Sequence, residues 1–137
     1  MQIDVNVTGL NALKAKFQRF QVKQRNWSQE LFDIGILLLR SQDLNFRDQG
    51  RPDRWTPSQA AINRNGMTLV DTGRLRRSVS ILGNEDNIFK VQPLSLTIST
   101  DVPYAKYLQD ERPFLMIQEE DIRNMELIMN KAIERIF

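Results

Sequence analysis

The chain of 137 residues contains neither cysteine nor histidine. Without cysteine there is no disulfide framework and no thiolate nucleophile. Without histidine the chain lacks the commonest general base at neutral pH and the commonest metal ligand. A histidine triad and a zinc site are therefore excluded, and we expect no metal, no cofactor and no catalytic residue.

Long hydrophobic runs are also missing. The longest, residues 34–39, includes Gly35 and is far shorter than the ~20 residues that span a bilayer. The opening MQIDVNVTGL has no basic region followed by a long apolar run, so we do not expect a signal peptide. With 41% hydrophobic and 26% charged residues, the sequence predicts a soluble, cytoplasmically made protein of one domain, residues 1–137, with no membrane partner.

Charge is unevenly distributed although the net charge is only +2. Residues 47–77 contain seven arginines against three aspartates, an excess of +4, whereas residues 101–126 contain seven acids against three bases, an excess of −4. These segments either neutralise each other within one protomer or promote head-to-tail self-association, in which the basic segment of one subunit meets the acidic segment of the next.

Periodicity in the N-terminal half predicts a strand followed by helices. Alternation over residues 2–8 is typical of a half-buried strand. Helical spacing of apolar residues predicts a helix over 10–20. A second helix, which we expect to be the most buried element, starts with Asn26 or Ser28 as its cap and ends by Gly50. Its apolar stripe consists of Trp27, Leu31, Ile34 and Leu38, widened by Phe32, Ile36 and Leu39.

The middle of the chain predicts short helices and then strands. Ser58 is placed to cap a short helix that Gly66 ends, and Asp71 or Thr72 can cap one further turn through Leu75. From Ser78 the period changes to two. This change predicts strands at Val79 and Ile81, at residues 88–91 and at residues 94–99, joined by polar turns.

The C-terminal part predicts two helices. Asp101 can cap a short one over residues 104–108. The last helix opens with three acids at 119–121 and closes with Lys131 and Arg135, the order that a helix dipole favours. Its predicted buried stripe is Ile122, Met125, Met129, Ala132 and Ile136. Together the elements predict an α+β fold in which a small antiparallel β-meander packs against N-terminal and C-terminal helices.

Leu69-Val70-Asp71-Thr72-Gly73 contains the tripeptide of aspartic proteases. One copy per chain would suit a retropepsin-like homodimer whose two carboxylates share a proton, and residues 80–83 weakly resemble that family's second element. That element should lie far downstream, however, and Arg74 stands where a small residue is expected. In the competing interpretation, Asp71 or Thr72 is a helix cap and Gly73 eases the turn. The peptidase is kept as an alternative.

The cluster of Arg74, Arg76 and Arg77 beside Ser78 suggests a second alternative, a nucleic-acid-binding module that grips phosphates. Such clusters are also commonly solvated or paired with acids. The rest of the chain lacks a basic face of the size that nucleic acid needs. Aromatic residues are not interleaved with the arginines as a base-stacking platform requires.

Several short motifs follow one another in a defined order. They are Trp55-Thr56-Pro57-Ser58, then Leu69 to Ser78 (LVDTGRLRRS), then a strand pair, then Pro103-Tyr104-Ala105-Lys106-Tyr107, then Arg112-Pro113-Phe114-Leu115. In this order and spacing they resemble the phage virion morphogenesis family, the tail completion or neck proteins of Mu-like and related tailed phages. The resemblance covers about residues 50–115. Leu108-Gln109-Asp110 stands where the family usually has a histidine and a phenylalanine-glycine turn.

The resemblance implies a non-enzymatic structural protein at the junction between the head connector and the tail tube of a virion. It would be assembled in the host cytoplasm and would act as an oligomeric ring or plug. Its implied partners are further copies of itself, connector or neck proteins, and tail tube or terminator proteins. Nucleic acid is implied only as DNA that passes through the junction.

For the subunit or partner interface, we predict contacts on two complementary sides. One side comprises Trp55, Arg74, Arg76 and Arg77, and the other comprises Asp110, Glu111 and Arg112. Unequal charge segments suit a heterologous interface that closes into a ring, and the edges of a meander can be covered by a neighbour. Trp55 has a competing interpretation as a lid on the core, in which case its replacement would reduce stability.

Overall fold

A computed structural model describes residues 2–6 and 25–136 of the chain. The helix predicted over residues 10–20, and the end of the first predicted strand, lie outside these residues. In chain order the elements are β1 (Ile3–Asn6), α1 (Ser28–Arg47), α2 (Gln59–Asn63), α3 (Arg74–Ser80), β2 (Asn87–Val91), β3 (Ser95–Thr100), α4 (Ala105–Glu111) and α5 (Glu119–Ile136).

The three strands form one antiparallel sheet in the order β1-β3-β2. β3 is central: its Ile98 lies opposite Ile3 on one side and Phe89 on the other. Alternation in β3 turns Leu96 and Ile98 towards the helices, and both are fully buried. The predicted α+β fold with a small antiparallel sheet is confirmed.

Helix α1 is the central element, as predicted. Trp27, Leu31, Ile34 and Leu38 are fully buried, and α1 contacts α3, α5, β2 and β3. The cap differs in detail: Trp27 occupies the N-cap position, and the Asn26 side chain accepts a hydrogen bond from the Ser28 amide at 2.8 Å. Gly35 lies under the ring of Phe89, which a Cβ at this position would overlap. A glycine inside the helix therefore lets the sheet approach α1 closely.

The strand predicted at Val79 and Ile81 is wrong, because these residues belong to the end of helix α3 and to its C-cap. Leu75, Ser78 and Val79 are buried at helical spacing against α1, the helix that α3 contacts. The Asn87 side chain donates a hydrogen bond to the Ser78 carbonyl at 2.8 Å, which satisfies a group in the last turn. The hydrogen bond from Asn87 thus stabilises the last turn of α3, although the local alternation of residues had indicated a strand there.

The buried stripe of α5 is partly as predicted. Met125, Met129 and Ala132 are buried, but Ile122 is 43% exposed and its expected burial is wrong. The neighbouring Asp121 is buried instead. Its carboxylate accepts hydrogen bonds from the Ser41 hydroxyl and from the backbone N–H of Gln118. This polar anchor helps to set the rotation of the helix.

Three further predicted caps compare differently with the structure, and for α3 the N-cap position is occupied by Gly73 and not by Asp71 or Thr72. Ser58 caps α2 as predicted, because its hydroxyl accepts a hydrogen bond from the Ala61 amide at 3.1 Å. Asp101 does not cap α4, whose N-cap position is occupied by Tyr104. The turn before α4 is held instead by the Thr100 hydroxyl, which accepts from the Val102 amide.

Candidate interaction surface

One groove is lined by residues from each of the four short motifs that resemble the morphogenesis family, although these motifs are spread over some 60 residues. We call it the motif groove; its volume is about 440 Å³. It lies where the segment before α3 faces α2 and α4. Its lining comprises Ser58, Ala60, Arg64, Leu69, Asp71, Thr72, Gly73, Arg74, Leu75, Tyr104, Leu108 and Arg112.

We call the segment Trp55–Ser58 the tryptophan loop. Two long-range hydrogen bonds join it to the segment that follows α4. The Trp55 indole donates to the Pro113 carbonyl at 3.2 Å, and the Arg112 guanidinium donates to the Thr56 carbonyl at 2.8 Å. The Trp55 ring also packs edge-on against the buried Phe46, with 5.7 Å between ring centroids. Trp55 is therefore a lid on the core, one of its two predicted roles, and part of it stays accessible.

Side-chain amides hold residues 113–118 against α1. We call this segment the strap. The fully buried Gln42 donates to the Met116 carbonyl at 2.9 Å and accepts from the Met116 amide at 2.8 Å. Asn45 donates to the Phe114 carbonyl, and Gln118 donates to the Arg51 carbonyl. Gln42 thus satisfies both backbone groups of Met116, as a neighbouring strand would.

Sequence reasoning missed these amides. The signal that could have found them was the presence of Gln42 and Asn45 within the apolar pattern of α1, at positions next to its buried stripe. A buried amide in such a place must find hydrogen-bond partners.

All three arginines of the motif groove have partners inside the protomer. Arg74 forms a bidentate ion pair with Asp86: its Nε donates to Oδ2 at 2.9 Å and its Nη2 donates to Oδ1 at 3.1 Å. These hydrogen bonds hold the pKa of the Asp86 carboxyl below its ordinary value and raise the pKa of Arg74. Arg64 donates to the Met67 carbonyl at 2.6 Å, and Arg112 also pairs with Glu111 at 3.1 Å. Their guanidinium groups are therefore held in fixed positions.

The other predicted interface residues lie in different places. Arg76 pairs with Asp43 on α1 at 2.7 Å, and the exposed Arg77 donates to the Thr72 carbonyl at 3.1 Å. Asp110 and Glu111 are exposed at the end of α4. Glu111 and Arg112 line one groove together with Trp55. The predicted division into two sides is therefore wrong for Trp55, which neighbours the residues that were placed opposite it.

Most of the basic segment, residues 47–77, is neutralised within the protomer. Five of its arginines form ion pairs with acids: Arg47, Arg51, Arg64, Arg74 and Arg76. Only one of these pairs, Arg51 with Glu120, joins the basic segment to the acidic one. The other four arginines pair with acids outside residues 101–126. Most acids of the acidic segment are therefore not paired with arginines of residues 47–77.

The geometry does not favour the two alternative functions. Asp71 is exposed in the loop before α3, near Arg64, and the DTG tripeptide does not lie on a strand of a largely β fold. Of the three arginines proposed to grip phosphates, Arg74 and Arg76 are already paired with carboxylates. Within residues 2–6 and 25–136, no three carboxylates converge as a metal site would require.

Comparisons with known proteins add no relative. No protein-family model matches the chain, no curated protein matches it, and no solved structure matches it. Among the helices of the described ranges, none has the length and hydropathy needed to cross a bilayer.

Proposed function

We propose that this chain is a structural, non-enzymatic virion morphogenesis protein, a tail completion or neck component that acts at the head–tail junction of a phage or prophage particle. In this role the motif groove binds a neighbouring connector, tail tube or terminator protein. Copies of the chain form an oligomeric ring, assembled in the host cytoplasm and incorporated into the virion.

The observation that carries this proposal is the convergence of the motifs on the motif groove. Residues from the tryptophan loop, from the segment before α3, from α4 and from the following turn share one concave surface. Beside this surface the Trp55 indole donates a hydrogen bond to the Pro113 carbonyl, and the Arg112 guanidinium donates one to the Thr56 carbonyl. The order and spacing of the motifs along the chain gain physical meaning because residues from each short motif share one surface.

The composition of the groove suits a protein partner. Tyrosine and arginine are enriched among residues that dominate protein–protein binding energy. Here Tyr104 is 44% exposed beside three arginines that are already held by hydrogen bonds. Fixed side chains lose less conformational entropy when a partner binds, which favours affinity.

The test is deletion of the coding sequence from the phage or prophage genome that contains it, followed by electron microscopy of the induced particles. We expect filled heads and finished tails that remain separate. Complementation with Tyr104→Ala or Arg112→Ala should leave most particles unjoined. Joined, infectious particles at normal yield after deletion would refute the proposed function.

Matched controls separate a lost contact from a lost fold. Tyr107→Ala removes a tyrosine from the same helix that is 76% exposed and does not line the groove, and Lys131→Ala removes an exposed cation from the last turns of α5. Both should complement fully. Circular dichroism and thermal unfolding of each purified variant check that the fold is retained.

A further inference from the structure

A second groove separates α1 from the end of α3. We call it the α1–α3 groove; its volume is about 570 Å³. Apolar side chains from both sides line it: Ile36 and Leu39 belong to α1, while Ile81 and Leu82 follow α3. Ile81 is 48% exposed and Leu82 is 44% exposed, so the groove presents apolar surface to solvent. Neighbouring apolar side chains left exposed in this way are typical of a binding surface.

Cationic side chains also line this groove. Arg76 is paired with Asp43, but Arg40 and Arg77 form no ion pair with any residue in the described part of the chain. The lining therefore combines exposed apolar groups with an excess of positive charge. Its best occupant is an apolar side chain flanked by carboxylates, because both the apolar and the charged groups would then be matched.

Helix α5 presents such an arrangement. Glu119, Ile122 and Glu126 are spaced i, i+3 and i+7, which places them on one side of the helix, with the exposed Arg123 at the edge of that side. Ile122 is the side chain that packs less into the core than its periodicity predicts. Neither glutamate forms an ion pair with a residue in the described ranges. We call these three residues the α5 acidic face.

We propose that the α1–α3 groove of one copy receives the α5 acidic face of a second copy. Ile122 would pack against Ile81 and Leu82, and the glutamates would approach Arg40 and Arg77. Groove and face are different surfaces of one protomer, so the contact is heterologous and repeats from copy to copy as a ring or a filament. This inference rests on the proposed function for the role of the ring, whereas the contact can be tested on the purified chain alone.

The experiment measures the mass of the full chain by sedimentation velocity over a range of protein concentrations, from about 50 mM to about 500 mM NaCl. We expect concentration-dependent association that weakens as salt rises. Arg77→Glu and Glu126→Arg should each weaken the self-association Kd by about tenfold, because each replaces attraction with repulsion at the contact.

Mixing the two charge variants gives the sharpest test. In an equimolar mixture, the intact face of Arg77→Glu can dock in the intact groove of Glu126→Arg, and the two altered surfaces are complementary to each other. Association should therefore return towards that of the unaltered chain. A mixture no stronger than the separate variants would overturn the proposed pairing.

The apolar part of the contact has a matched control. Ile122→Ser should weaken association, whereas Leu127→Ser, which removes a 57% exposed side chain from another side of α5, should not. Two results would overturn the inference: a chain that stays monomeric up to about 1 mM in low salt, or association unaffected by Arg77→Glu, Glu126→Arg and Ile122→Ser.

Failure of this inference is distinguishable from failure of the proposed function. If copies associate as described but deletion leaves particles intact, the contact stands and the virion role fails. If deletion separates heads from tails but the purified chain shows no such contact, the virion role stands and the self-docking surfaces are wrong.

Discussion

The two grooves differ in how many of their arginines are paired with carboxylates: all three in the motif groove, but only Arg76 in the α1–α3 groove. In the motif groove, Arg64, Arg74 and Arg112 all have partners within the protomer. In the α1–α3 groove, Arg40 and Arg77 have no carboxylate partner among the described residues. The number of arginines in a segment therefore does not predict which of them are available to a partner. Availability depends on which carboxylates the fold brings near.

This difference predicts different binding behaviour. A surface made of prearranged side chains loses little conformational entropy on binding and has limited charge left to offer, so its binding should depend weakly on salt. A surface with unpaired arginines attracts carboxylates at longer range, so its binding should depend strongly on salt. Three substitutions or conditions separate the two grooves further, in decreasing order of expected effect.

Gly50→Ala should have the largest effect on stability. Gly50 has φ of 113°, and a Cβ there would lie 2.5 Å from the Trp55 backbone nitrogen. Backbone strain and this overlap together should lower the free energy of unfolding by about 3 kcal/mol, measured by denaturant titration. The damage should concentrate on the tryptophan loop beside the motif groove. If the Gly50→Ala variant still folds, it should retain self-association through the α1–α3 groove.

Gly83→Ala is the matched control for this substitution. Gly83 also has a positive φ, 85°, but a Cβ there would meet no atom within 4 Å. It should therefore cost only the conformational strain, about 1 kcal/mol. If Gly50→Ala were no more destabilising than Gly83→Ala, the backbone contact would not constrain the loop.

Gln42→Leu should have an intermediate effect. It leaves the Met116 amide and carbonyl without their side-chain partners, so the free energy of unfolding should fall by about 2 kcal/mol. Hydrogen exchange should quicken at Met116 and along the strap. Gln59→Leu, at an exposed position of α2, should change stability by less than about 0.5 kcal/mol. If Gln42→Leu lowered the free energy of unfolding no more than Gln59→Leu does, the strap would not depend on Gln42.

Acidification should have the smallest effect, and beside the motif groove it acts through the pair of Arg74 with Asp86. The Arg74 hydrogen bonds keep the pKa of Asp86 lower in the folded than in the unfolded chain, where it is about 3.9. Stabilisation by this pair is therefore present above that value and is lost as the pH falls through the lower, folded-state pKa. The unfolded state binds more protons in this window, so stability rises with pH.

The measurement compares the free energy of unfolding with that of Asp86→Asn between about pH 2 and pH 6. Asp4 and Asp48 also have lowered pKa values, through hydrogen bonds from Thr97 and Arg47, but they contribute equally to both proteins. The difference between the two curves should therefore shrink below about pH 4. Parallel curves would exclude a contribution from the Arg74–Asp86 pair.

Much of the fold followed from local patterns. The stripe Trp27, Leu31, Ile34 and Leu38 of α1, the two strands after Asn87 and the Ser58 cap are where periodicity and cap chemistry predicted them, although Phe32, expected to widen the stripe, is 41% exposed. These features depend on residues within a few positions of each other, so the sequence contains the relevant information directly. The prediction failed at α3, where alternation at Val79 and Ile81 indicated a strand, and at Ile122, whose exposure depends on how α5 is rotated.

The candidate surfaces were less predictable. The sequence patterns drew attention to Trp55 and Arg112, but not to the hydrogen bonds that bring their segments together across 57 positions of the chain. Nor did any local pattern identify Gln42 as the partner of Met116, 74 residues away. Whether the predicted interface residues bind a partner stays a prediction, for which the variants above provide the test.

By itself, the sequence determined the fold class, the central buried helix and the absence of cysteine and histidine chemistry. Those properties follow from composition and from the spacing of neighbouring residues. Only the tertiary structure decided which arginines are neutralised, which apolar side chains remain exposed and which motifs share a surface. These depend on distances between residues far apart in the chain, which are set when the helices and the sheet pack together.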